Sequence, residues 1–91
     1  MKLTWHEPKR ARNLREHGLD FVYAESVFAG LTFTFEDDRF EYGERRFITP
    51  GLLAGVPVSI VHTETEHEIH VISFRKATRR EAQRYFHEVG D

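Results

Sequence analysis

The residues best suited to chemistry in this sequence are cations gathered at one place. In "ISFRKATRRE", residues 72 to 81, Arg75, Lys76, Arg79 and Arg80 follow closely on one another, in a chain of formal net charge −2. Arginine outnumbers lysine ten to three, and its planar fork matches phosphate or carboxylate. Thr78 and Glu81 fit a capping box, which places Arg79 and Arg80 in a first helical turn and Arg75 and Lys76 at the end of the preceding strand. Cations there oppose the positive end of the helix dipole, at about 0.3–1 kcal/mol each. Free helix amides together with several guanidinium groups make a phosphate site. The plainer reading of Arg79 and Arg80 is a solvated surface.

Other chemistries are more restricted. The chain has no cysteine, so disulfides, thiolate metal sites and a cysteine nucleophile are excluded, and a reducing compartment is permitted. His62, His67 and His70 surround one predicted hairpin, with Glu64, Glu66 and Glu68 among them. Opposed strands would bring His62 and His70 towards a shared Zn²⁺ or Ni²⁺. Their spacing matches no metal motif, and neither a metal nor any other cofactor is expected. Ser73 and Thr49 lack a Ser-His-Asp context, so nucleophilic catalysis is not supported.

The elements that must position these groups follow from periodicity and punctuation. Leu3 to Trp5 reads as a short strand. "EPKRARNLREHG" reads as a helix, with Pro8 in its first turn, Gly18 at a left-handed cap, and Ala11, Leu14 and Gly18 along one face beside His17. Asp20 N-caps a second helix in which Phe21, Ala24, Val27 and Phe28 recur at helical spacing until Gly30. "LTFTF" alternates as a half-buried strand, "EDDRFEYGE" is an acidic loop, and "RRFIT" is a strand ended by Pro50-Gly51. "VPVSIVHT" and "EIHVISF" form a hairpin around Thr65 to His67. In its second arm Ile69, Val71, Ser73 and Arg75 share one face. A closing helix carries Ala82, Tyr85, Phe86 and Val89 on one stripe.

The fold class expected is therefore α+β: N-terminal helices, an antiparallel sheet of about four to five strands, and a C-terminal helix. Ninety-one residues, 40% of them hydrophobic, suit a single domain spanning 1–91. No apolar leader or membrane-length stretch is present in the sequence, which reads as soluble and unexported. Mild net acidity argues against strong nonspecific nucleic-acid binding.

These pieces, taken in order, resemble the BrnT family of small bacterial toxins, the ribonuclease half of BrnT/BrnA toxin–antitoxin pairs. The matching residues are Trp5 and Lys9, Asn13, His17-Gly18 with Phe21 and Ala24, Val27-Phe28, "GERRF" at Gly43 to Phe47, Gly51, and above all "ISFRKATRRE" with Tyr85. The chain departs from the family pattern at Glu16, where Lys is usual, at Thr65, where Arg is usual, and at His70, where Arg is common.

The resemblance implies a compact RelE-like fold, cytoplasmic location, and metal-independent RNA cleavage. The implied partners are RNA and a BrnA-like antitoxin, with DNA engaged only through that antitoxin and no membrane. Both a homodimer and a hetero-oligomer with the antitoxin are compatible with it. The charged positions matching the family's are His17, Glu44, Arg46 and Arg75. Cleavage without metal needs a base for the 2′-hydroxyl and cations for the charge on phosphorus. Arg75 and Arg46 suit the phosphate, with Lys76, Arg79 and Arg80 extending the cationic track. Alternation places Arg46 with Glu44 and Ile48; a structural ion pair is the bland alternative for the two charges.

Glu44 would serve as base if its ionisation were shifted upward, and His17 as acid or base. A protonated His17 would also interact well with a helix C-terminus, a purely structural role. Trp5, Tyr23, Phe40 and Tyr42 are candidates for an antitoxin-binding face. The three departures each lower positive charge and support a second reading: a catalytically weak or inactive domain that binds the antitoxin and acts as a co-repressor.

Overall fold

The computed structural model describes residues 1–90. Strand β1 (Lys2–Thr4) leads into helix α1 (Glu7–His17), a 3₁₀ turn (Phe21–Tyr23) and helix α2 (Ala24–Phe28). Strands β2 (Phe35–Asp37), β3 (Arg46–Leu53), β4 (Val56–Glu64) and β5 (Glu68–Lys76) follow, and helix α3 (Arg79–Glu88) closes the chain. The strands form one sheet in the order β1-β5-β4-β3-β2. It is mixed, which corrects the antiparallel expectation: β1 joins the outer edge of β5 in parallel, Leu3 opposite Ile69 and Thr4 opposite His70. Nothing in a three-residue strand encodes the direction of its distant partner.

Two expected strand limits move. "LTFTF" enters the ladder only at Phe35, opposite Ile48. The residues before it are held by side chains instead: Thr34 Oγ1 meets Thr49 Oγ1 at 2.8 Å, and the Leu31 carbonyl accepts from the Tyr85 hydroxyl. β3 also runs straight through Pro50-Gly51 to Leu53 and turns at Ala54-Gly55, both at positive φ, as a two-residue hairpin demands. β2 covers β3 only as far as Ile48, so Pro50 falls where β3 has one neighbour, and a strand proline is tolerated.

Directly opposed residues share a face. Gly51, Val58, Ile60, His62, Phe74 and Val71 therefore lie on one side, where Phe21, Ala24 and Val27 complete the core. Pro50, Ser59 and Arg75 lie on the other, with Ile48, Val61 and Ser73 in the next row. Residue Ile72 has no partner, because Ser73 faces Val61 while Val71 already faces His62. This bulge flips the alternation within β5. Ile69 and Val71 consequently lie on the core side, and Ser73 and Arg75 do not.

α1 is attached differently from the expectation. Ala11 and Leu14 are exposed, and the one buried residue of the helix is Asn13. Its side chain accepts from the Phe74 amide at 3.1 Å and donates to the carbonyls of Phe74 and Leu19 at 2.7 and 2.9 Å. β1 stops at His70, so beyond that residue β5 has an open edge. The Asn13 amide closes it in the manner of a neighbouring strand. Gly18 caps α1 in the left-handed conformation, φ 72°, as the sequence requires.

Candidate active site

The sheet face opposite the core is covered unevenly. α3 packs across β3 and β4, tied down by Arg75 to Glu81 and by Arg84 over the Phe35 ring at 4.3 Å. Beneath it Ile48, Pro50 and Ser59 are buried. Beyond it Val61, Thr63, His70 and Ser73 remain partly accessible and form an open floor. One rim is α1, whose Lys9, Arg12, Asn13, Glu16 and His17 enclose a small hollow of ≈ 50 Å³ against Ile72 and Ser73. The other rim is the loop between β2 and β3, where residues 36–45 enclose a wider hollow of ≈ 550 Å³.

Arg75 is rooted on this face, half-buried, at the end of β5. Its Nη1 and Nη2 donate to the two oxygens of Glu81 at 2.8 Å each, and Nη1 also donates to the Lys76 carbonyl. Of five guanidinium hydrogens, Nε–H and one on Nη2 are left without a partner among the described residues, and they form a second parallel fork. Glu81 also completes the capping box with Thr78 predicted for α3.

The Arg75 guanidinium, with help from the Thr78 amide, pulls the Glu81 carboxyl from 4.5 down to about 2. Arg39 and Tyr42 likewise hold Asp37 at about 2 from 3.8. A carboxyl depressed in the fold contributes stability that is complete above its unfolded value and is lost as pH falls towards the folded one. Stability measured by denaturant titration is therefore expected to fall steadily between about pH 5 and pH 2. Glu81→Gln should flatten part of that slope; an unchanged slope would mean the pair is not formed in solution.

Arg46, also half-buried, begins β3. Its Nε donates to Glu44 Oε2 at 3.1 Å, and its guanidinium lies 4.1 Å above the Tyr42 ring. Glu44 belongs to the loop and not to the strand, and it is exposed. In register, Arg46 lies four residues along β3 from the position level with Arg75 and two strands across. The two arginines are thus rooted about 16 Å apart. Arg79 and Arg80 are exposed in the first turn of α3 and Lys76 at the end of β5, and none of the three makes an ion pair among the described residues. His17 lies exposed at the C-terminus of α1, 4.0 Å from Glu16, on the rim opposite Glu44. The structure thus ranges His17, Glu44, Arg46 and Arg75 around one face, with Arg46 and Glu44 in contact and His17 and Arg75 apart from them, whereas Lys76, opposite Val58, alternates to the other side of the strand end.

The two hairpin histidines do not face each other. His62 is on the core side, buried between Phe28 and Phe47, with Nε2 2.7 Å from Thr49 Oγ1 and Nδ1 unpartnered. Burial pushes its pKa below the usual imidazole value. His70 is on the open face beside Thr4. The bulge separates them, and among the described residues no cluster of three metal-ligating side chains is formed.

A family model described as the ribonuclease toxin, BrnT, of type II toxin–antitoxin systems matches residues 5–81. The chain belongs to the BrnT family. No curated protein sequence matches it significantly. The BrnT match runs from Trp5 to Glu81, and so takes in both rims, the floor and the Arg75–Glu81 pair. Type II membership implies an antitoxin partner. Among the described residues no helix is long and apolar enough to cross a membrane.

Sequence reasoning nominated Asn13 only as part of a motif; its side chain is the clamp that carries α1. It passed over Arg84, which stacks on Phe35, and Thr4, which bonds both Glu68 and His70. The alternation signal existed for His70, but the bulge two residues later obscured which face it shares.

Proposed function

We propose that this chain is a metal-independent endoribonuclease whose RNA substrate lies across the open half of the sheet, and that a DNA-binding, BrnA-like antitoxin neutralises it in a bacterial cytoplasm, on a RelE-like fold. The observation that carries this reading is the free fork of Arg75 beside exposed Arg79 and Arg80, with Lys76 exposed on the other side of the same strand end. These cations lie where α3 opens its N-terminal amides, and they outnumber the anions near them. Arg46 serves a second phosphate with the four N–H groups that Glu44 leaves unused. Glu44 and His17, one at each rim, are the proton-transfer groups that the family resemblance nominates.

Arg75→Ala is expected to lower the rate of RNA cleavage about 10²-fold or more, the usual scale for an aimed donor, and to abolish growth arrest on expression. Glu81→Gln is the control, since it breaks the same ion pair while leaving the arginine. A drop in Glu81→Gln as deep as in Arg75→Ala would assign the arginine to the fold alone.

A second reading has its own observation. Arg46 and Arg75 each hold a carboxylate in the free chain, which partly neutralises both phosphate candidates. On that reading the domain binds its antitoxin and assists repression without cleaving RNA. Tight antitoxin binding with no growth arrest would decide for it.

A further inference from the structure

The floor of the open face holds a histidine that neither rim accounts for. Because β1 lies parallel to β5, with Lys2 opposite Glu68 and Thr4 opposite His70, the Thr4 side chain reaches both acidic and imidazole neighbours. Thr4 Oγ1 donates to Glu68 Oε2 at 2.9 Å, and the same oxygen lies 2.9 Å from His70 Nδ1. A hydroxyl has one proton, and a carboxylate oxygen can only accept. With its proton given to Glu68, the Thr4 oxygen must accept from Nδ1. That fixes the hydrogen on Nδ1 and leaves the lone pair on Nε2, as an orienting partner does for any imidazole. Nε2 has no hydrogen-bond partner among the described residues and is not one of their buried unpartnered atoms, so it faces solvent. His70 is opposite Thr63, and Arg46 continues the same row one strand further on.

We propose that His70 is the general base of RNA cleavage, with Thr4 and Glu68 as the residues that position it. This rests on the ribonuclease reading and moves the base from Glu44, whose Oε2 already accepts from Arg46, to the centre of the floor. Nε2 takes the proton of the ribose 2′-hydroxyl while the 2′-oxygen bonds to phosphorus. The P–O5′ bond breaks with its electron pair on O5′, which takes a proton from solvent water. The hydroxide left behind recovers the proton from His70. The products are a 2′,3′-cyclic phosphate and a 5′-hydroxyl end, with no change of oxidation state. Arg46, rooted about 10 Å from His70 across two strands, is within side-chain reach of the phosphate.

The test uses the full chain and a synthetic oligoribonucleotide, with products resolved by end chemistry. Wild-type protein is expected to release cyclic-phosphate ends. His70→Gln should lower kcat about 10²-fold or more, the usual contribution of a positioned base, with KM little changed. Thr4→Val should lower kcat several-fold at constant KM, and added imidazole should restore part of the rate lost in His70→Ala. Wild-type cleavage with His70→Gln within threefold of it overturns the role of His70 and leaves the ribonuclease reading standing. Absence of cleavage by wild-type protein overturns both. A fall in His70→Gln that is matched by lost thermal stability and not rescued by imidazole in His70→Ala overturns the catalytic role in favour of a structural one.

Discussion

Asn13→Leu should cost about 3–5 kcal/mol of stability, because two or three buried backbone groups lose their partners at once, each worth about 1–3 kcal/mol. The substitution keeps the branched shape and raises helix propensity, so packing alone predicts a mild effect. What it removes is the amide that accepts from Phe74 N–H and donates to the carbonyls of Phe74 and Leu19. Asn13→Asp sharpens the test. The carboxylate matches the shape and still accepts from Phe74 N–H, yet it turns an oxygen towards two carbonyls and carries a charge where the residue is only 6% exposed. Both variants should melt on the order of 20 °C below wild type, given about 4–8 °C per kcal/mol for a domain of this size. A loss under about 1 kcal/mol in both would mean that apolar contacts, and not this clamp, hold α1. Since α1 supplies one rim of the open face, either variant should also reduce antitoxin binding or cleavage at temperatures where the fold survives.

The clamp also explains what could be read in advance and what could not. The limits of α1, the caps at Gly18, Asp20 and Thr78, and the hairpin of β4 with β5 were legible because each rests on local chemistry: a left-handed glycine, a side-chain oxygen facing an amide, a period of two. The 3₁₀ turn that Asp20 caps in place of a continuous helix was not. The failures are all non-local. Leu14 looked like a core residue and is 43% exposed, because α1 binds the edge of β5 through polar bonds and has no apolar floor to bury. Pro50-Gly51 looked like a stop, but β3 is unpaired on one side at that point and α2 crosses it. The register of β5 was misread past Val71 because one bulged residue reverses every face after it. That same reversal put His62 into the core and left His70 outside it, so a proposed metal pair became two unrelated side chains. Of the nominated chemistry, the cation cluster at the start of α3 was legible from its spacing. The Arg46–Glu44 ion pair was one of the two readings the alternation allowed, and it forms; the partner of Arg75 was not legible, since Glu81 looked only like a cap.

Gly51 tests whether this arrangement of helix over strand tolerates any slack. An added Cβ there would meet Val27 Cγ1 at 2.5 Å and Thr32 Cγ2 at 3.0 Å, with Thr32 half-buried and Val27 wholly buried. A β-branched valine is stiff in a helix and cannot rotate away. Gly51→Ala should therefore cost about 2 kcal/mol, within the 1–3 typical of overpacking, although alanine is otherwise as good as glycine or better in a strand. Gly51→Val should cost more and lead to aggregation on expression, since α2 must lift off the sheet. The decisive measurement is the double variant. Val27→Ala alone leaves a cavity and destabilises; combined with Gly51→Ala it makes room for the new methyl, so the pair should be more stable than the sum of the singles by about 1–2 kcal/mol. Simple additivity would show that the strand, and not Val27, yields to the methyl. The face opposite α2 would then shift with it, and Arg46, at the other end of β3, would move relative to His70 and change the cleavage rate without any substitution on the open face.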